Sequence, residues 1–287
     1  MVYGKDVASA SCLIPLGNKQ FYLPQFLCQL QTWMGTLFVV ATPIGNLRDI
    51  TTRALEVLRQ VDLIACEDTR QTVKLLNHFG IQKPLTSYHD FNEEKKSVEL
   101  ANRLAGSENV ALVSDAGTPS ISDPGYRVVR LCRERGIPVV AIPGANAAVT
   151  ALAASGLPSS EFIFVGFLPA KKNARREKLT LLANFPSTII FYEAPHRIEG
   201  VLEDMQDVLG DRDVCIAREI TKIHEEYVFG KLSAVRKQVR ALGEFVIVVA
   251  GGTEIRQAPL TREAVLKTLG MTRNQLYDLF FKKTNAG

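Results

Sequence analysis

The residues of this sequence best suited to chemistry stand where apolar runs stop. After Val110-Ala-Leu-Val113 the chain reads SDAGTPSISDPG, Ser114 to Gly125, which sets Asp115 and Asp123 among two prolines and two glycines. A second apolar run ends in Cys66-Glu-Asp-Thr-Arg70, with Glu67 and Asp68 adjacent. A carboxylate at a strand end can bind hydroxyl or ammonium groups, accept a proton, or cap a helix. Asp123-Pro124 directly before a helical period predicts an N-cap followed by a first-turn proline, because the carboxylate satisfies orphan amides and proline has none. Asp115 is followed by Ala116 and Gly117, where a ligand can approach the backbone closely. Pro119 biases Thr118 toward an extended conformation. Asp115 is therefore the carboxylate left free for a ligand. Asp68 has two readings, ligand-facing acid or cap of the following helix with Arg70 in solvent.

Other strand-end loops add to this set. Ala41-Thr-Pro-Ile-Gly-Asn-Leu-Arg-Asp49 matches neither glycine-rich phosphate fingerprint, so a ligand without phosphates fits better. Glu67 lies 22 positions beyond Gly45, near the spacing of a ribose-binding acid, but that spacing carries little weight without the fingerprint. Gly45 is either a simple turn residue or part of a ligand-binding strand end. Ile142-Pro-Gly-Ala-Asn-Ala147 repeats the pattern of a turn followed by small residues opening a helix. Further along, Tyr192-Glu193-Ala-Pro-His-Arg197 ends a strand. Ala217 to Glu226, AREITKIHEE, crowds ionisable groups between two strands. It is a solvated face, or else strand alternation puts Arg218, Lys222 and His224 on one side. The basic run Ala170 to Lys178 contains Lys171, Lys172, Arg175 and Arg176. It reads as a surface loop and helix start, and as part of a binding surface it would suit phosphates.

These groups need a frame. At 287 residues and 46% hydrophobic, the chain can build two cores. From Thr36 to about residue 157, apolar runs alternate with helical periods, which predicts a parallel sheet covered on both faces. The expected strands are Thr36-Ala41, Leu63-Cys66, Pro84-Tyr88, Val110-Val113 and Val139-Ile142. The first helix is expected to start at Asp49 as its N-cap, and Gly80 to close the helix over Thr69-Phe79. A linker at Gly156-Ser160 precedes a second domain over 161-252, where the strands Val214-Ala217 and Glu226-Phe229 follow one another without a crossover helix, which implies at least one antiparallel pair and a mixed sheet. Its helices are expected over Ala174-Ala183, Arg197-Leu209 and, between the last two strands, Ala234-Leu242. Residues 253-287 read as a helical appendage, and residues 1-34 as a flexible extension with no clean period, Met34 being the expected functional start. A net charge of +4 permits a polyanionic partner without the excess of a dedicated nucleic-acid module. Cys66, Cys132 and Cys215 sit in apolar segments and no C-x-x-C occurs, which predicts buried reduced thiols and a cytoplasmic setting. The scattered histidines His78, His89, His196 and His224 predict no metal. No long uncharged apolar run predicts a membrane span.

Taken together, ATPIGNLRDIT, CEDTR, SDAGTPSISDPG, PGANA, FYEAPHR and AREITKIHEE resemble the ribosomal RNA small-subunit methyltransferase I family of the tetrapyrrole methylase superfamily. The resemblance covers about residues 35-252, with one departure at Ala145-Asn146, where the family more often has Pro-Ser. It implies two α/β domains binding S-adenosyl-L-methionine between them, usually as a homodimer. It also implies methylation of a cytidine ribose 2′-hydroxyl in the decoding region of 16S rRNA, on free RNA or the small ribosomal subunit. By the same resemblance Pro43, Asp115, Ala116, Gly117, Ile121, Ala147, Tyr192 and Ala217 would line the cofactor pocket. Glu67, Asp68, Glu219 and Lys222 are candidates for the base or the cation that eases deprotonation of the hydroxyl. The superfamily's small-molecule activities leave a tetrapyrrole as the alternative substrate. A nicotinamide-dependent oxidoreductase and a non-catalytic ribosome-binding module are the remaining rivals.

Overall fold

A computed structural model describes Leu13–Leu16 and Lys19–Tyr22, residues 34–252, and Thr272. The chain divides into two compact units. The first comprises Met1–Ala154, Ala217–Tyr227 and Gly243–Val246, and the second comprises Ser155–Ile216, Val228–Leu242 and Ile247–Gly287. Near the N-terminus, β1 (Leu13–Leu16) and β2 (Lys19–Tyr22) pair antiparallel, in a stretch whose sequence shows no strand period. Apart from Met34 and Thr272, the rest of the expected extension and the expected helical tail lie outside the described residues.

The first unit is built on β3 (Leu37–Val40), β4 (Leu63–Cys66), β5 (Leu85–Ser87), β6 (Val110–Val113) and β7 (Val139–Ile142). All the recorded pairings are parallel and the order is β5-β4-β6-β3-β7. The helices between them are α1 (Thr52–Gln60), α2 (Thr69–His78), α3 (Glu93–Ala105), α4 (Tyr126–Glu134) and α5 (Ala147–Ala154). Alternate residues of each central strand go to opposite faces, as the two-residue period requires. Leu63, Ala65, Val110 and Leu112 pack with Leu100, Leu104, Val128 and Cys132 under α3 and α4. Ile64, Cys66, Ala111 and Val113 pack with Ala54, Leu58 and Leu76 under α1 and α2. Two cores explain why the strands read as continuous apolar runs. Cys66, Cys132 and Cys215 are buried free thiols.

Helix starts depart from the local reading at two places. Thr51, not Asp49, caps α1, its hydroxyl accepting the Ala54 amide at 3.1 Å, while Asp49 closes a 3-10 turn over Leu47–Asp49. Asp123 does not cap α4: the cap position is Gly125 and makes no side-chain bond. Instead Oε1 of Glu93 accepts the Gly125 amide at 3.1 Å, and the Tyr88 hydroxyl accepts the Val128 amide at 3.3 Å. At α2, Gly80 follows the last turn in the left-handed region, with φ 64°. That is the conformation its position predicts.

The second sheet has the order β11-β10-β12-β9-β8, from β8 (Phe162–Phe167), β9 (Thr188–Glu193), β10 (Asp213–Arg218), β11 (Glu226–Lys231) and β12 (Phe245–Val249). β8 and β9 are parallel. β10 and β11 are neighbours joined only by residues 219–225, too short for a crossover, which makes the sheet mixed. α6 (Lys172–Leu182), α7 (Ile198–Leu209) and the single turn α8 (Leu232–Val235) complete it. The helix expected over Ala234–Leu242 is no more than that turn.

Candidate active site

The parallel sheet of the first unit points every carboxyl end to one edge, and there the loops are bonded to one another. Thr42 and Gly117 exchange backbone bonds of 2.9 and 3.1 Å, joining the loops after β3 and β6. Gly117 makes this bridge with φ 83°. L side chains rarely adopt that conformation. Thr118 Oγ1 donates to the Ala145 carbonyl at 3.1 Å, which adds the loop after β7. The amide of Asp68 donates to Oδ1 of Asp115 at 3.0 Å, which adds the loop after β4. Asn146 Oδ1 accepts the Val149 amide at 3.2 Å. The residue that departs from the family pattern thus opens α5 as a helix cap. Edges of this kind are where open α/β sheets bind ligands.

The carboxylates on that edge are pushed apart electrostatically. Burial raises the pKa of Glu67, and the charges of Asp123, Asp115, Asp90 and Asp68 raise it further. Burial likewise raises Asp123, helped by Asp115 and Asp90. Asp68 goes the other way, to about 2, because the Arg70 side chain and amide both bond its carboxylate. Asp68 also caps α2, accepting the Arg70 amide at 2.8 Å, and Arg70 remains largely in solvent. Asp68 is thus a cap and an ion-pair partner, and a poor proton acceptor near neutrality. Among the expected lining residues, Asp115, Ala116 and Ile121 are exposed, Ala147 is half-buried, and Pro43, Gly117 and Ala217 are buried.

Residues 217–227 and 243–246 belong to the first unit. Between Glu219 and Glu225 the chain is a loop rather than a strand, so the expected alternation of Arg218, Lys222 and His224 does not arise. Nζ of Lys222 lies 2.9 Å from both Glu219 Oε1 and Glu244 Oε2. These two carboxylates raise the Lys222 pKa against the opposing effect of burial, and Lys222 lowers that of Glu219. The stem of Lys222 lies on Gly45, where an added Cβ would come within 2.5 Å of its Cγ. Thr221 donates its hydroxyl to Asp49. Glu219 and Thr221 both lie in the left-handed region, with φ 51° and φ 66° respectively. Such a conformation is uncommon for residues other than glycine. Close approach, not a free turn, is what Gly45 supplies. The ammonium of Lys222 is already neutralised, which suits positioning better than charge stabilisation.

In the second unit Tyr192 stacks edge-on with Phe164 and Phe167, ring centroids 5.0 and 5.7 Å away. The basic run is largely committed to α7. Arg175 is buried, bonded to Asp204 at 2.6 Å and to the Ala170 carbonyl at 3.1 Å, which removes it as a phosphate contact. Arg176 pairs with Asp204 at 3.0 Å and Asp207 at 2.8 Å, and Lys172 lies 3.8 Å from Asp204. Lys171 and Lys172 remain exposed. Sequence reasoning does not place Asp90 or Asp123 in the acidic group. For Asp90 the available signal is its place just beyond β5. Among the described residues no three His, Cys, Asp or Glu side chains are grouped to hold a metal ion.

Residues 36–236 match the family model of Tetrapyrrole (Corrin/Porphyrin) Methylases. The ribosomal RNA small subunit methyltransferase I of Haemophilus influenzae is 53% identical over 223 residues, covering 76% of this chain and 79% of the relative. That of Escherichia coli O157:H7 is 51% identical over 248 residues, covering 84% and 86%. Among solved structures, uroporphyrin III C-methyl transferase from Thermus thermophilus superposes with a TM-score of 0.53 at 17% identity, over 75% of this chain and 97% of the other, a likeness of fold. The chain therefore belongs to the ribosomal RNA small subunit methyltransferase I family, within the tetrapyrrole methylases.

Proposed function

We propose that this protein is an S-adenosylmethionine-dependent methyltransferase that modifies the ribose 2′-hydroxyl of a cytidine in 16S rRNA. The observation that carries the reading is about half identity, over most of the chain, to relatives named for small-subunit rRNA methylation. The edge of the first sheet fits the cofactor. A sulfonium with an amino-acid head and a ribose diol offers no phosphate, and the loops here have no phosphate cradle but an exposed carboxylate beside open backbone. Asp115, Ala116, Ile121 and Ala147 present themselves to it, over a floor of Pro43 and Gly117. Asp115 holds the Asp68 amide through Oδ1, which leaves Oδ2 for hydroxyl or ammonium donors. The surrounding carboxylates favour a cation. Bound there, the cofactor supplies an electrophilic methyl group.

The chain's own residues have the remaining tasks. Glu67, with its pKa raised, takes the proton from the ribose hydroxyl, a role that needs a basic carboxylate at the edge. Lys222, with Glu219 and Glu244, holds the loop that carries Pro43 and Gly45, so that orientation accounts for much of the rate. Small subunits from a strain lacking this enzyme, incubated with the protein and methyl-labelled cofactor, should gain label at one cytidine 2′-oxygen on ribose mapping. A porphyrinogen offered in parallel should gain none. Label in the porphyrinogen with none in the RNA would refute the reading.

A further inference from the structure

We propose that Phe91 is a stacking platform for an unpaired base of the ribosomal RNA, held beside the nucleotide that accepts the methyl group. The proposal rests on the rRNA reading above. Phe91 is 99% exposed, yet the turn that carries it is fixed at both ends. On one side Tyr88 is 1% exposed, its amide donating to the Cys66 carbonyl at 2.8 Å and its hydroxyl 3.0 Å from both Glu93 and Ser97. On the other, Asn92 Oδ1 accepts the His89 amide at 2.9 Å and Nδ2 donates to the Ser87 carbonyl at 3.3 Å. The His89 ring sits 6.1 Å from that of Phe91, edge to face. A large apolar ring held in water by an ordered turn is neither core nor a loose tip.

Its place in the fold says what the ring meets. Ser87 is the register partner of Cys66, and the residue after Cys66 is Glu67, so the Phe91 turn and the proposed proton acceptor leave adjacent strands at the same edge. Beside Phe91 runs an open groove of about 800 Å³, enough for a nucleoside, lined by Val98, by the cations Lys95 and Arg127, and by the carboxylates Asp90, Glu94 and Glu99, which can accept from base or ribose donors. Lys95 and Arg127 are exposed cations able to meet phosphates, Arg127 keeping that exposure while 3.3 Å from Glu93. Unpaired RNA bases are recognised by stacking on aromatic rings next to cationic side chains. Where a folded RNA keeps the reacting nucleotide out of reach, that nucleotide has to leave its stack, and the neighbouring bases then need a new surface. A second copy of the chain fits this patch less well. One ring and Val98 within a charged rim fall far below the ~800 Å² per partner of a stable interface.

Methyl transfer to small subunits by Phe91→Ala should show a KM for RNA raised about tenfold or more, since a stacked base contributes on the order of 1–3 kcal/mol. The dissociation constant for S-adenosylmethionine should not move, and Phe91→Tyr should restore the KM. The chain's single tryptophan, Trp33, permits a direct probe. In a Trp33→Phe background, Phe91→Trp fluorescence should be quenched on adding substrate RNA. An unchanged KM in Phe91→Ala, or an unquenched tryptophan, would overturn the proposal while wild-type activity left the rRNA reading standing. A change of sedimenting mass in Phe91→Ala would overturn it in favour of a contact between copies. Wild-type protein that binds the cofactor but transfers nothing to RNA would bring down both readings.

Discussion

Adjacent carboxylates, Glu67 and Asp68, are driven to opposite behaviour by what surrounds them. Burial and four neighbouring acidic charges make Glu67 hold its proton more tightly, while Arg70 bonds keep Asp68 ionised down to about pH 2. Environments that separate two such groups suit them to different roles, and under the proposed mechanism these are base for the first and structural cap for the second. A Glu67→Gln variant should lose at least about a hundredfold in turnover, the contribution of a positioned base, with little change in cofactor affinity. Wild-type turnover should fall on the acid side at a higher pH than an ordinary carboxylate would give, and the variant should lack that limb. The stability effect has the opposite sign. A carboxyl whose folded pKa is raised destabilises the native state when ionised, so Glu67→Gln should melt no lower than wild type near neutrality. That advantage should vanish as pH falls below the ordinary carboxylate range. The residue types were legible in sequence, but which of the two was basic was not. That depended on Asp90, Asp115 and Asp123, which come from other strand ends.

At the scale of elements, SDAGTPSISDPG shows how a local rule can fail. Asp123-Pro124 satisfies every local rule for a helix start, yet the helix begins beyond it and receives its cap from α3. Oε1 of Glu93 serves the amides of Gly125 and Arg127 at 3.1 and 3.4 Å, and Tyr88 bridges Glu93 to the Val128 amide. Asp123 is thereby released to the acidic edge. A cap supplied across 32 residues leaves no mark in the local spacing, whereas the five strands of the parallel sheet, set by local apolar runs, were legible almost to the residue. Tyr88→Phe removes a hydroxyl that satisfies a buried amide and a carboxylate, and should cost about 1–3 kcal/mol in urea unfolding. Amide exchange should quicken first at the N-terminus of α4. Unaltered exchange there would mean that Glu93 alone suffices.

On the scale of the whole molecule, charge is distributed so that the most basic run in the sequence serves folding more than binding. Asp204 is fully buried and bonded to Arg175 and Arg176, a pairing that joins α6 to α7 inside the second unit. From sequence those arginines looked like phosphate ligands because their partners lie almost thirty positions away, on the next helix but one strand later. With the pair committed, the net charge of +4 leaves little for a general electrostatic grip on RNA. Specific contacts must then carry recognition, which is what a stacking residue at the site edge would provide. The two kinds of basic residue can be told apart. Asp204→Asn leaves the buried Arg175 guanidinium without its carboxylate, while Arg176 keeps Asp207, and should lower stability by about 3 kcal/mol or more. Lys171→Glu with Lys172→Gln should change the melting temperature far less, because both ammonium groups face solvent and Lys172 is only a distant neighbour of Asp204, at 3.8 Å. If these lysines touch phosphate, the double variant should weaken RNA binding and flatten its dependence on salt by about two counterions' worth. An unaltered salt slope would place the phosphate contacts elsewhere, with Lys95 and Arg127 beside Phe91 as the next cations to test.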